Sequence, residues 1–501
     1  MKVFLFSMVG VLSSTFSIAQ YTVKDYDRIA QSIINYTVDI DELKANANFL
    51  TNKVGSKLTG SQALDQASMF ITSKAAELGM DSAYSTIAFY LDYGWENSTT
   101  QLAIVEPYFY SLNTSPIAWT SSTDGILEND IVFIEAENVD FLGNPMVSNE
   151  KLEANRKLLE NKLLILHNSI EYKTDSTILL NRLSEEYFEI DRPNKPNLTI
   201  ERLNGMITSM AKKESDFNKK LREIGVKGII QPSQRNHGII RGHGSFSGMF
   251  AEFERPIPHL LVSSSDYNRV LKLVQTGTTK IRAEVVNKFT KSAPIRNTFV
   301  EVKGAKNPDE IVLLGAHLDT WHLSDGATDN VAGVLILLEA MKILKGLDLK
   351  MDRTIKLAFW SGEEQGLLGS TQWVSNESEK LDNISAYLNV DSGTGKIRGI
   401  TSQLNESAIP IFEKIFDPLR SIGVLGVKHQ HSIGSDYMAF NEASIPAFDF
   451  KQDPIDYFQR THHTNLDSYE YLRFDEIAQA AQVVAATVYY LANMKEKFSR
   501  K

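Results

Sequence analysis

"EIVLLGAHLDTWHLSDGATDNVAGV", residues 310–334, is the stretch on which the fold turns. It opens with an apolar run that does not alternate with polar residues. Such runs belong to strands covered on both faces, as in a parallel sheet. The run ends at His317, a polar linker follows, and a helical pattern starts at Asp329 and continues to 345. The same alternation recurs downstream. "TIKLAFWS" (354–361), "SAYLNVD" (385–391) and "SIPAFDF" (444–450) are further short apolar runs. Helical patterns cover 366–380, 406–422 and 435–442 between and around them. Strands alternating with helices predict an α/β fold with a doubly wound, mostly parallel sheet.

Upstream the pattern is less regular. Residues 22–82 read as helical, with Asp39 as a cap and Gly79 closing "LTGSQALDQASMFITSKAAELGM". From about Asp92 to Asn138 the chain reads as strands, and "NKLLILHNS" (161–169) is another short apolar run. Residues 170–222 are polar and show no packed core of their own, with "DRPNKPN" (191–197) as an exposed loop. "LREIGVKGIIQPS" (221–233) and "IPHLLVSSSDYNRVLKLVQTG" (257–277) each combine a strand with a helix. The predicted organisation is one domain built from 20–115 and 291–501. A smaller mixed α/β unit, 116–290, interrupts it and carries a helical insertion at about 170–222. "RNHGIIRGHGSFSG" (235–248) in that unit is either a lid over a site or flexible surface.

A chain of 501 residues corresponds to roughly two to three domains. Its 43% hydrophobic and 23% charged content are those of an ordinary globular protein with a sizeable core. The formal net charge of -10 excludes the basic footprint of a nucleic-acid binder. No cysteine is present, which excludes disulfides, thiol catalysis and cysteine-ligated zinc. At the N-terminus, Lys2 precedes an apolar stretch from Val3 to Leu12, and Ser17-Ile18-Ala19 fits a small-x-Ala cleavage site. Residues 1–19 read as a secretory signal. The run is shorter than the roughly 18–20 apolar residues needed to span a bilayer. The expected location is therefore secreted or periplasmic, with no stable membrane anchor.

Ligands of open α/β sheets bind beyond the carboxyl ends of the strands. His317 and Asp319 follow the first run, Glu363 and Glu364 the second, and Asp391 the third. "THHTNLDS" follows the fourth, with His462, His463 and Asp467, and Asp329 opens the 329–345 helix. Each alone has an ordinary reading as a helix cap or loop residue. Together, histidines and acids without cysteine form the nitrogen- and oxygen-rich ligand set of a hydrolytic zinc site. The adjacency of Glu363 and Glu364 poses its own question, because neighbouring carboxylates repel.

The order H-x-D (317–319), G-A-x-D-N (326–330), G-E-E-x-G (362–366), D-S-G (391–393), G-S-D-Y (434–437) and H-T-x-x-D (463–467) resembles the co-catalytic di-zinc aminopeptidase and glutamate carboxypeptidase family. The resemblance extends over nearly the whole chain after the leader, and the inserted segment looks like a protease-associated domain. It implies a zinc-peptidase domain and two zinc ions per chain. His317, Asp329 and Asp391 would hold one ion. Asp329, Glu364 and His463 would hold the other, with Asp329 bridging. Glu363 would be the general base, and Asp319 would hydrogen-bond His317 and fix its tautomer. The Asp329–Asn330 peptide would be cis. Tyr437 and His322, the latter standing where relatives carry an Asp, are the candidate substrate contacts. Peptide substrates and a possible homodimer follow from the resemblance too.

Other chemistries fit less well. A serine hydrolase needs a G-x-S-x-G elbow, which the sequence lacks. "GTGKIRG" (393–399) has the wrong spacing for a dinucleotide loop. A non-catalytic receptor on the same fold would be expected to have lost ligands or the base. A single-zinc glutaminyl cyclase would not need the second ligand set. The sequence thus predicts a secreted metallo-exopeptidase, with aminopeptidase, carboxypeptidase and dipeptidase action all open.

Overall fold

The computed structural model describes residues 23–139, 144–171, 182–189 and 198–500. The predicted leader (1–19) and the loop at 191–197 lie outside the described residues. In chain order, the first half contains strands β1 (Ser82–Glu106), β2 (Thr114–Pro116), β3 (Leu127–Phe133), β4 (Leu163–Ile165), β5 (Gly228–Pro232) and β6 (His259–Val262). The second contains β7 (Lys280–Val302), β8 (Asn307–His317), β9 (Arg353–Trp360), β10 (Ile384–Asn389), β11 (Ile397–Thr401), β12 (Gly426–Lys428) and β13 (Ala447–Gln452). The helices used below are α1 (Gln62–Glu77), α2 (Ile200–Ile224), α3 (Ser264–Thr276), α4 (Ala332–Gly346), α5 (Leu368–Asn376) and α6 (Phe474–Asn493).

Strand β8 is central, with β9 and β10 parallel on either side and β13 parallel to β10. The sheet continues antiparallel through β11 on one side and through β7 on the other. Val312, Leu314, Leu357 and Leu388 point into one core with α4 and α6, while Leu313, Trp360 and Tyr387 point into the other. Both faces are covered, which is why these strands read as continuous apolar runs. Register then fixes the site: His317 at the end of β8 pairs with Trp360 at the end of β9, and Gly315 pairs with Asn389 at the end of β10. The residues just past these three ends are forced onto one edge.

The upstream half forms a second parallel set, β3–β4–β5–β6, closed by antiparallel β2. Strands β1 and β7 pair along their whole lengths, from Ser82 opposite Glu301 to Glu106 opposite Lys280. One end of β7 pairs with β3 and the other with β9, so a single ribbon runs through both sheets. The division expected between 290 and 291 falls inside β7, and the one at 115/116 falls inside β2.

Residues 200–224, expected to lack a packed core, form one 25-residue helix. Thr199 caps its start and Gly225, at φ 91°, closes it. Its buried residues Ile207, Ala211, Phe217, Leu221 and Ile224 form a stripe at helical spacing. The long polar face hides that stripe in the sequence. Among the described residues, no helix is long and apolar enough to cross a membrane.

Candidate active site

Five side chains converge at the edge where β8, β9 and β10 end. His317 is the last residue of β8, Asp391 follows β10, and Glu364 follows the Ser361-Gly362 turn after β9. Asp329 lies in the turn that leads into α4. His463 comes from the loop between β13 and α6, with a left-handed φ of 59°. His317 Nε2 lies 3.1 Å from Asp329 Oδ1 and 3.3 Å from Asp391 Oδ1. His463 Nε2 lies 3.4 Å from Asp329 Oδ2 and 2.8 Å from Glu364 Oε2. Asp329 therefore faces two groups of ligands, one with each of its oxygens. The adjacent His462 is farther off, at 3.9 Å from Asp329 Oδ2, and its ring stacks on His463.

These residues fit the pair of zinc ions that the sequence implies. Zinc bonds of about 2.0–2.2 Å in a tetrahedron place ligand atoms about 3.3–3.6 Å apart, close to most of the separations seen. Asp329 Oδ2 and Glu364 Oε1 are buried and accept no hydrogen bond from the protein. Buried carboxylate oxygens are ordinarily satisfied, so these two mark acceptors reserved for a cation.

The surrounding contacts differ from the expectation in one respect. The Nδ1–H of His317 is received by the backbone carbonyl of Asp319 at 2.8 Å, while the Asp319 carboxylate is 3.9 Å away. That carbonyl is what fixes the tautomer. The carboxylate instead accepts the backbone N–H groups of Glu363 (3.2 Å) and Glu364 (3.3 Å) and the hydroxyl of Thr59 (3.0 Å). Asp319 thus shapes the turn that presents both glutamates. Asp467 has a parallel role. It accepts Thr328 N–H at 2.7 Å and Asp329 N–H at 3.1 Å, and so holds Asp329. Ser435 donates to Asp391 at 2.6 Å, and Asn330 donates to the Val390 carbonyl at 2.8 Å. The Asp329–Asn330 peptide is cis.

The electrostatics are those of crowded anions. Burial raises the Glu363 carboxyl well above the usual range, and Asp391 adds to the effect. Burial and the neighbouring Asp329 do the same to Glu364. Burial brings Asp467 and Asp436 up to about 7. Burial disfavours the His317 cation, yet Asp391 and Asp329 carry this ring well above its ordinary value. Burial lowers His463 to about 4. Such a set of acids is what bound divalent cations stabilise as carboxylates.

The cluster opens into a cavity of about 680 Å³, with Glu363, Glu364, Asp329, Asp391 and His463 in its wall. Tyr437 lines it as well and is buried. His322 does not line it. Its Nε2–H donates to the Pro116 carbonyl at 2.7 Å and its ring meets Trp95 edge-on, so it joins the loop after β8 to β2. Burial lowers it to about 4, which keeps it neutral. The loop at 235–248 does reach the site: Gly242 N–H donates to the His463 carbonyl at 2.8 Å. Sequence reasoning missed Thr59, Tyr457 and the whole cavity-facing stripe of α2. Only the "GSKLTGS" glycines (Gly55 and Gly60, both at positive φ) hinted that 55–61 is a shaped loop.

Residues 297–488 match the sequence profile of Peptidase family M28. That segment is similar to Peptidase family M28. The five ligand candidates and Glu363 all lie within it. Carboxypeptidase Q of Homo sapiens is 31% identical over 204 residues, which are 41% of this chain and 43% of the human protein. The match thus spans less than half the length of this curated relative. The peptidase M28 precursor of Shewanella amazonensis SB2B has the same fold, with a TM-score of 0.67 at 22% identity, covering 95% of this chain and 98% of that one. A zinc aminopeptidase from Bacillus subtilis superposes with a TM-score of 0.59 at 19% identity, over 92% of this chain and 98% of the other. The family likeness and the doubly wound, mostly parallel fold are those read from the sequence.

Proposed function

We propose that this protein is a zinc-dependent exopeptidase that hydrolyses dipeptides or short peptides. The observation that carries the reading is the convergence of His317, Asp329, Asp391, Glu364 and His463 around Asp329, with Glu363 beside them on one cavity wall. His317, Asp329 and Asp391 would hold one zinc; Asp329, Glu364 and His463 would hold the other. When bound, the pair supplies Lewis-acid polarisation of the scissile carbonyl and acidifies a water. Glu363 takes the proton of the attacking water on its carboxylate and passes it to the nitrogen of the leaving amine. The Asp319 carboxylate holds Glu363 in place through its backbone N–H. The presence of both the base and the full ligand set favours an enzyme over a binding protein that has lost one of them. The lysine, apolar run and Ser-Ile-Ala site of residues 1–19 support export, which N-terminal sequencing of the mature protein near Gln20 would check.

The test is Glu363→Gln. It is expected to lower kcat on dipeptides by about 10²–10⁴-fold while zinc stays near two per chain. Residual turnover close to wild type would remove Glu363 from its role. Fewer than two zinc ions in the wild type would remove the bridging arrangement.

A further inference from the structure

We propose that α2 is the specificity wall of this site, and that it selects peptides with a bulky apolar side chain at the scissile bond and turns away acidic ones. The proposal rests on the peptidase reading above. It concerns a helix outside the M28 segment, which starts at residue 297.

Leu203, Met206, Ile207 and Met210 all line the cavity. They stand at i, i+3, i+4 and i+7, so they form one stripe of α2 aimed at the site. Asn204, Thr208 and Ser209, on the other faces, are exposed. The stripe reaches the catalytic turn itself: a Cβ placed on Gly366 would lie 2.6 Å from Ile207 Cδ1. Gly366 stands two residues after Glu364, and its N–H bonds the Glu363 carbonyl at 2.9 Å. A side chain beside the reacting carbonyl therefore meets methionine, leucine and isoleucine. Methionines adapt to varied apolar shapes, which suits leucine, methionine and phenylalanine alike.

Charge points the same way. Among the described lining residues, Lys451 is the one lysine or arginine, and it is already paired with Asp449. The other charged groups at the wall include Glu363, Asp391 and Asp449. An acidic side chain would find no unpaired lysine or arginine among the described lining residues, and an unpaired buried carboxylate is strongly disfavoured. The cavity, about 680 Å³, is of a size that holds a small ligand rather than a folded chain.

Homodipeptides test this whichever end of the substrate is recognised, because both positions carry the same side chain. The zinc-loaded protein should cleave Leu-Leu and Phe-Phe with kcat/KM at least about tenfold above Ala-Ala, since each methylene in an apolar pocket is worth about 10- to 200-fold. Glu-Glu should fall below Ala-Ala. Met206→Lys and Met210→Lys, checked for helix content and zinc, should each lower the Leu-Leu to Glu-Glu ratio by tenfold or more. Equal cleavage of Glu-Glu and Leu-Leu, or a ratio that neither substitution moves, overturns the proposal. Calorimetry on Glu363→Gln separates it from the peptidase reading. Tighter binding of Leu-Leu than of Glu-Glu supports the wall even if no dipeptide is turned over by the wild type, an outcome that would overturn the peptidase reading alone. Equal binding overturns the wall.

Discussion

The two halves of the ligand cluster are held by different means. On the His317 side, His317 and Asp391 hang on the sheet and Asp329 on the turn into α4. His317 ends β8 with its side chain 1% exposed, its Nδ1–H is fixed by its own loop, and Asp391 follows the neighbouring strand. On the His463 side the ligand comes from a loop and is 23% exposed. Its backbone adopts a left-handed φ of 59° and is tied to the 235–248 loop of the upstream half. Gly242 N–H binds the His463 carbonyl, Asn465 N–H binds the Ile240 carbonyl at 3.0 Å, and Ile240 N–H binds Asn465 Oδ1 at 2.8 Å. One half is thus rigid because strands are rigid. The other leans also on the 235–248 loop of the upstream half. The 235–248 loop is thus a structural part of this candidate site.

The largest expected effect tests the turn after β9 that presents Glu363 and Glu364. Asp319→Ala removes the acceptor of the Glu363 and Glu364 N–H groups, each about 1–3 kcal/mol if left unsatisfied. Loss of such a supporting contact typically costs about 10–100-fold in activity or metal affinity. Steady-state kinetics and denaturant unfolding measure both effects. A variant as active as wild type would show that the turn holds its shape without Asp319. Gly242→Pro tests the His463 half, because it deletes the N–H that binds His463. With two zinc ions bound as proposed, one should then be lost to a chelator about tenfold more readily than in the wild type, with the other unaffected. If both ions loosen together, the halves are not independent. Asn465→Ala removes one hydrogen bond of the same lacing, worth about 1 kcal/mol, and should weaken zinc retention by only severalfold.

The smallest effect is one of pH on the metal-free protein. Asp436 and Asp467 sit at about 7 in the fold, far above unfolded aspartate, and so bind protons more tightly when folded. That stabilisation is present at low pH and lost as pH rises through about 7. Histidines lowered by burial, such as His463 at about 4, act in the opposite sense, but only below their unfolded value of 6.5. Buried Lys57, lowered to about 8, acts only above that point. Between about pH 6.5 and 8 the raised acids and His317, itself carried well above its ordinary value, act in the same direction, so the Tm of the metal-free protein should fall across that window. Zinc should flatten the slope. A Tm that rises with pH there would mean these acids are ionised without cations.

Much of the fold and site is legible because a parallel sheet writes itself plainly. Four apolar runs, each followed by a histidine or an acid, are enough to put His317, Glu363, Glu364 and Asp391 on one edge, since parallel strands all end on the same side. Asp319 shows where such reading stops. Its type and place mark it as a supporting residue, but whether its carboxylate or its carbonyl meets His317 depends on how the chain turns after β8. His322 reads as a substrate-side residue because relatives carry an Asp there, yet the turn sends it to Pro116. The stripe of α2 is obscured because a helix with one narrow apolar face among many charges reads as solvated unless the surface it covers is known.

The sequence by itself determined the order of strands and helices in the second half and the residue types gathered at the strand ends, because these rest on local pattern. Only the tertiary structure decided that residues from the upstream half complete the site. Leu203, Met206 and Met210 precede Glu363 by about 150 residues, and Gly242 precedes His463 by more than 200. Contacts over such separations arise from the packing of the two halves along the β1–β7 ribbon. Local pattern carries no record of that packing.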